Sequence, residues 1–413
     1  MKLEKFSFGM GDRFLHQGIA QLQAIVNAKD AGIEITPVWN KSNREHEIVG
    51  TEPASLRKEA DDAVEALGWQ ASYRVDADHI NLATVDRFLH CSDFFTIDVG
   101  DAIGQAATDT DIVAFVGRHS KYIGNLDIPG AGTFEVKQTT LEAVAKTFLK
   151  AVQLAGSIYR HIVDQRSADF IAEVSMDETD NPQTPLEMFF ILAAIADEGI
   201  PAQTVAPKFT GRFNKGVDYV GDVVQFEKEF NEDLAAIAFA ISEFNLPDNL
   251  KLSIHSGSDK FSIYGPIRDA LKRTGAGVHV KTAGTTWLEE LIGLAEAGGE
   301  GLAIAKEVYA RSLENMDALC KPYATVIDID ADQLPTADEV SNWTGEQYAR
   351  ALRHNQADPL YNLHLRQLLH VGYKVAAQMG ERYYGALKEF EPDVSRNVTE
   401  NLWVRHLKPL FID

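Results

Sequence analysis

Only two cysteines, Cys91 and Cys320, occur in the 413 residues. Two cysteines could close one bridge but build no disulfide framework, so reduced thiols in a cytoplasmic protein are expected. Cys320, in NMDALCKPY, has no histidine beside it and reads as a buried thiol, not a nucleophile. Long apolar runs are also missing. The most apolar segment, MFFILAAIADEG from Met188 to Gly199, falls short of the ~20 residues that span a bilayer and ends in charges. The opening MKLEKFSFGMGDRF has no apolar h-region and reaches Asp12 early, so it is not expected to act as a signal peptide. No run of five Lys or Arg occurs, and the formal charge is -22. Such a charge repels phosphate backbones, so neither nucleic acid nor a membrane is an expected partner. A small anion stays open as a ligand, because one Lys or Arg in a cleft reverses the local potential. No G-x-x-x-x-G-K-[ST] loop, H-E-x-x-H or cysteine zinc pattern is present. FGMGDRF lacks the third glycine and the ribose-binding acid of a dinucleotide fingerprint. Solenoid repeats are absent.

What is present is a globular composition, 45% hydrophobic and 24% charged, in a repeating pattern. Short apolar runs end abruptly in polar residues, and helical patterns closed by glycines separate them. Eight runs read as strands. They are KFSFGMGDR, Ile33 to Ser42, Ala71 to Ile80, Phe94 to Gly100, Ala168 to Glu178, Ala202 to Phe213, Leu252 to Asp259, and Gly277 to Thr285. Strands alternating with helices imply βαβ units and a parallel sheet. Eight of them in roughly 250–300 residues is the size of a (β/α)8 barrel. The expected fold is therefore α/β, a TIM-like barrel over residues 1–298. An excursion is expected around 101–150, where DIVAFVGRH reads as strand or helix start and NLDIPGAGTFEV as an ordered loop. Residues 299–413 read as a helical extension that caps the barrel or forms a homo-oligomer face. A doubly wound open sheet is the second architecture.

A barrel carries its chemistry at the C-terminal ends of its strands. Those ends hold Asp12 and Arg13, Asn40 and Lys41, Asp78 and His79, Asp98, Asp177 and Glu178, Lys208, His255 with Ser256, Ser258, Asp259 and Lys260, and His279 with Lys281. Three of the 12 histidines fall there, on three strands. Taken singly, each reads as a hydrogen-bonding cleft or core residue. Together they suit a divalent cation, Zn, Mn, Fe or Ni, with positions left open for substrate. In SIHSGSDKFSIYGP, Gly257 permits a close approach or a positive φ, Ser256 offers a hydroxyl, and Lys260 suits a carboxylate. An ordinary serine-capped turn is the alternative. His279 and Lys281 share a strand face, as do Glu173, Ser175 and Asp177. Two carboxylates from opposite sides of a barrel can serve as base and acid.

SIHSGSDKFSIYGP, VHVKTAGTTWLEE, YRVDADHINLATVDRF and RHLKPLF resemble the tagaturonate/fructuronate epimerase family of bacterial hexuronate catabolism. The resemblance spans nearly the whole chain and is strongest from Ala71 to Asp98 and from Leu252 to Glu290. It implies a divalent-metal barrel enzyme that interconverts two ketohexuronates at C4. It carries the metal ligands to His79, His255 and His279. It puts the acid/base pair at Asp98 or Asp78 on one side and Asp177 or Glu178 on the other. Lys260 and Lys281 would meet the substrate carboxylate or polarised oxygens. The expected partner is a small sugar acid, and retro-aldol/aldol chemistry is the expected route. A metal-dependent aldolase or ketose isomerase, and a non-catalytic sugar-acid binding protein, are the other readings.

Overall fold

The computed structural model describes residues 1–413 apart from Glu178, Asp180 and Ala283. Eight parallel strands close a barrel: β1 (Phe6–Gly11), β2 (Thr36–Ser42), β3 (Arg74–Ile80), β4 (Phe94–Asp98), β7 (Ile171–Ser175), β8 (Thr204–Ala206), β9 (Lys251–His255) and β10 (Val278–Thr282). Closure comes from β1, which pairs with β2 on one side and β10 on the other. Seven of the eight expected runs contain one of these strands, and the eighth, from Leu252, starts one residue inside β9. Between β4 and β7 the barrel repeat is interrupted. DIVAFVGRH lies in the helix Asp109–His119, whose buried Ile112, Phe115 and His119 recur at helical spacing. NLDIPGAGTFEV forms the hairpin of β5 (Gly124–Ile128) and β6 (Gly132–Val136), so the expected loop is a two-stranded ribbon.

Strand alternation sorts the side chains. Phe8, Met10, Val75 and Ile254 point outward into the apolar layer shared with the surrounding helices, including Leu22 and Ile25 of Gly18–Asp30. Inside the barrel, Leu3, Val38, Phe94 and Ile171 form a small apolar plug at the N-terminal end. Above the plug the interior turns polar, and buried polar groups persist only when paired.

The helices after β10 build a second core of Trp287, Leu291, Tyr309, Leu369 and Tyr383. Phe14, just after β1, enters this core with its ring 4.8 Å from that of Tyr383. The chain then returns to the barrel, where Leu402, Leu407, Leu410 and Phe411 join the barrel core. Cys91 and Cys320 are both free. Among the described residues no helix is long and apolar enough to cross a membrane.

Candidate active site

The inward positions of neighbouring strands converge on Lys281 of β10. Its ammonium lies 2.8 Å from Asp76 Oδ2, 2.7 Å from Asp78 Oδ1 and 3.3 Å from Glu173 Oε1, and donates to Thr96 Oγ1 at 2.5 Å. Gly9 of β1 leaves room for the lysine stem, since a Cβ there would sit 2.9 Å from Lys281 Cγ. Burial opposes the charge on Lys281, but Asp76, Asp78 and Glu173 hold its pKa well above the ordinary value. Burial and the neighbouring acids Asp78 and Glu173, set against Lys281, push Asp76 up to about 7. Glu173 goes the other way. Burial would raise it, but Lys281 and His255 hold it well below the usual range.

His79, Asp177 and His255 stand above this layer, with one ligand atom of each within 4.8 Å of the others. His79 follows Asp78 directly, and on a regular strand the two would face opposite ways. The β3–β4 register shifts between Ala77 and Ile80, and His79 takes a φ of 51°. Bulges of this kind re-aim side chains beside active sites, and a non-glycine residue at positive φ is held there by its surroundings. Both Asp78 and His79 consequently line the same cavity. His79 Nδ1 lies 3.3 Å from Asp98 Oδ2, and its ring centroid is 5.0 Å from that of His255. Burial works against protonation of His79, but Asp78, Asp98 and Asp177 lift its pKa to about 10. Burial likewise opposes Asp177 and Glu173 at His255, yet they raise it to about 9. The site thus attracts positive charge.

These donors fit a divalent cation. His255 Nε2 lies 2.8 Å from Glu173 Oε1, a carboxylate partner that fixes the ring proton on that side. Nδ1 is then left facing Asp177 Oδ2 at 3.2 Å, buried and without hydrogen-bond geometry. An imidazole nitrogen aimed at a carboxylate is an arrangement that a shared cation, displacing the ring proton, satisfies. Two imidazoles and one carboxylate suit Zn, Mn, Fe or Ni and leave positions open. The grouping differs from the expected His79, His255 and His279. His279 shares a face with Lys281 but sits two residues deeper, fully buried, with Nδ1 2.9 Å from Ser7 Oγ and its ring against Phe94. Burial pushes it down to about 3, so it is a neutral core histidine.

A cavity of about 340 Å³ opens over the group. Arg13, Asp78, His79, Asp98, Asp177, His255 and Lys281 line it, all singled out by the sequence. Others do not. Asp12 accepts from the backbone N–H groups of Phe14, Leu15, His16 and Gln17 and orders the turn after β1. Ser256 donates to the Lys281 carbonyl at 2.6 Å. Asp259 is fully buried, 2.7 Å from Arg366 and 3.1 Å from both His354 and His406. Lys260 donates to the Asn214 and Val217 carbonyls at 3.0 and 2.8 Å. Lys208 lies outside the cavity lining, its backbone N–H bonded to Gln183. Asp259 and Lys260 therefore hold segments together away from the cavity lining. Glu178 lies outside the described residues. Arg44, Lys215 and Tyr323 line the cavity but went unread. Arg44 and Lys215 follow β2 and β8 and carried a weak strand-end signal, whereas Tyr323 arrives from the extension and had none.

A tagaturonate epimerase (UxaE) family model matches residues 1–410. The Tagaturonate/fructuronate epimerase of Thermotoga maritima is 28% identical over 400 residues, which are 93% of this chain and 76% of that protein. The glycerol-complexed crystal structure of fructuronate-tagaturonate epimerase UxaE from Cohnella laeviribosi aligns with a TM-score of 0.82 at 23% identity. It covers 99% of this chain and 82% of that one, and the native crystal structure gives the same values. These structures share the eight-stranded parallel barrel with its helical extension. The barrel, the polar strand ends and a match that leaves out only the last three residues lead to one assignment: the chain belongs to the tagaturonate epimerase family.

Proposed function

We propose that this protein interconverts D-tagaturonate and D-fructuronate at C4, with a divalent cation held by His79, Asp177 and His255. The family match over residues 1–410 carries the reading, and the His-Asp-His group supports the metal. A bound divalent cation would supply Lewis acidity toward the substrate's carbonyl and hydroxyl oxygens.

The chemistry constrains what the side chains do. With the carbonyl at C2, the C3 proton is acidified but the C4 proton is not. Direct deprotonation at C4 would leave an unstabilised carbanion, so the C3–C4 bond breaks instead. Asp98 accepts the C4 hydroxyl proton as C4 becomes an aldehyde, and the bond's electron pair passes to C3 as an enediolate. The aldehyde turns its other face, C3 re-adds, and Asp98 returns the proton. Asp98 suits this part because it is partly exposed in the cavity, with Oδ1 fixed by the Gly100 N–H at 3.0 Å. Asp78 does not, since the Lys281 ion pair keeps it ionised and engaged. Lys281 stays protonated on the cavity floor and offsets developing negative charge.

The test is an NMR time course of metal-loaded protein with tagaturonate in D2O, repeated for His255→Ala. Fructuronate should form without deuterium at C4, and the variant should not turn over. Tightly bound NAD, or deuterium entering at C4, would sink the retro-aldol route. Absence of fructuronate would sink the activity.

A further inference from the structure

The cavity lining carries charge of both signs. It holds Asp78, Asp98 and Asp177 with the histidines, and also the cations Arg13, Arg44 and Lys215. Lys281 and Arg13 are matched by carboxylates inside the protein. Lys281 is surrounded by three carboxylates, and Arg13 pairs with Glu45. Arg44 has no carboxylate partner among the described residues. It is exposed in the first turn of the helix Asn43–Val49 that follows β2. Its guanidinium lies 4.9 Å from the ring centroid of Tyr323, a buried side chain delivered by the extension. An aromatic face orients a guanidinium while its N–H edges stay free for an anion.

The surroundings reinforce the positive charge here. Lys374 Nζ lies 5.4 Å from the same ring. Arg13 sits 4.5 Å from the ring of Tyr373, whose hydroxyl is 3.5 Å from that of Tyr323. Burial would raise the Tyr323 phenol, but Arg13 and Arg44 bring it below its ordinary value. Two stacked-over tyrosines thus gather three cations in a chain of net charge -22.

The geometry points to Arg44, oriented on Tyr323, as the carboxylate subsite of the cavity, selecting a sugar acid over a neutral sugar. This rests on the ketohexuronate reading. It also suits that reaction, because C3–C4 cleavage leaves the carboxylate on the three-carbon aldehyde fragment. An anchor at that end retains the fragment while its aldehyde face turns.

Calorimetry of metal-loaded protein with D-galactonate and with galactitol separates charge recognition from polyol recognition. The wild type should prefer galactonate, and high salt should erode that preference. Arg44→Met should weaken galactonate about ten-fold and leave galactitol unchanged, and Arg44→Lys should fall between. In turnover, Arg44→Met should raise KM for the ketohexuronate and lower kcat as the three-carbon aldehyde fragment escapes before re-addition. Equal losses for both probes, or full retention of galactonate binding, would overturn the subsite. If the wild type prefers galactonate yet does not interconvert ketohexuronates, the functional reading fails and the subsite stands. If turnover occurs and Arg44→Met keeps its KM, the subsite fails and the functional reading stands.

Discussion

Lys281 is the residue on which the interior depends. Its ammonium offsets the carboxylates of Asp76 and Glu173, which are cut off from water, and of Asp78 at the cavity floor. Removing one partner of a buried ion pair leaves uncompensated charge and costs about 3–5 kcal/mol. Lys281→Met should therefore lose stability on that scale in urea unfolding at neutral pH, in addition to losing activity. A wild-type midpoint would mean the three acids share protons without the lysine. Asp98→Asn makes a separate prediction. With its proton acceptor gone, kcat should fall about 10²–10⁴-fold while metal content holds, and unchanged kcat would move the base elsewhere. The placement of His279 shows what strand parity can and cannot convey. Parity correctly puts His279 and Lys281 on one face. It says nothing of depth along the barrel axis, and two residues of depth separate a core histidine from the cavity floor. The pairing of Asp78 with His79 has the opposite origin, since it needs a bulge and a positive φ at a histidine, which nothing in YRVDADHI announces.

At the scale of elements, the β9 loop is the joint of the molecule. Within six residues it carries His255 into the cavity, places Gly257 at φ 67° on the cavity lining, and buries Asp259 and Lys260. Asp259 receives Arg366, His354 and His406 from the extension and Thr285 from the helix after β10. Lys260 holds the Asn214–Val217 segment that bears Lys215. Asp259→Asn keeps the volume but leaves Arg366 buried without its counter-charge, an expected loss of about 3–5 kcal/mol. Faster limited proteolysis of the extension should accompany it, and an intact extension with a wild-type midpoint would refute the joint. The eight barrel strands were legible because apolar runs between turn residues are local signals. The partners of Asp259 lie about a hundred residues or more from it in the chain, apart from Thr285, so a strand-end reading took a structural carboxylate and lysine for ligand groups. DIVAFVGRH was ambiguous for the ordinary reason that a short apolar run serves helix and strand alike.

For the whole molecule, the buried titratable groups set the response to acid. His46 is fully buried with Nδ1 2.9 Å from Thr51 Oγ1, and burial, with Lys41 and Arg87, lowers its pKa to about 3. His279 is lowered to about 3 and His370 well below its ordinary value, chiefly by burial. Each histidine takes a proton more readily unfolded than folded, so its stabilisation is complete above pH 6.5 and is lost as pH falls toward 3. Buried acids oppose this. Asp76 and Glu289 are raised to about 7, and Glu59, Asp233 and Glu290 well above the usual range, burial being the main cause for each. They bind protons first in the folded state, which gains stability as pH falls through their folded values toward their unfolded ones. Between about pH 6.5 and 4.5 the five acids outnumber the three histidines, so unfolding free energy should rise as pH falls through this window. Below that the acids have nothing further to give. The histidines keep drawing the protein toward the unfolded state, joined by Glu173 and Asp259, whose ion pairs hold them well below the usual range against the effect of burial. Stability should then fall steeply. His46→Gln isolates one contribution, since its curve between pH 6.5 and 4 should tilt relative to wild type by about 1.4 kcal/mol per pH unit, the slope of one proton. Parallel curves for the two proteins in denaturant titrations across that range would show that His46 is buried with its proton on.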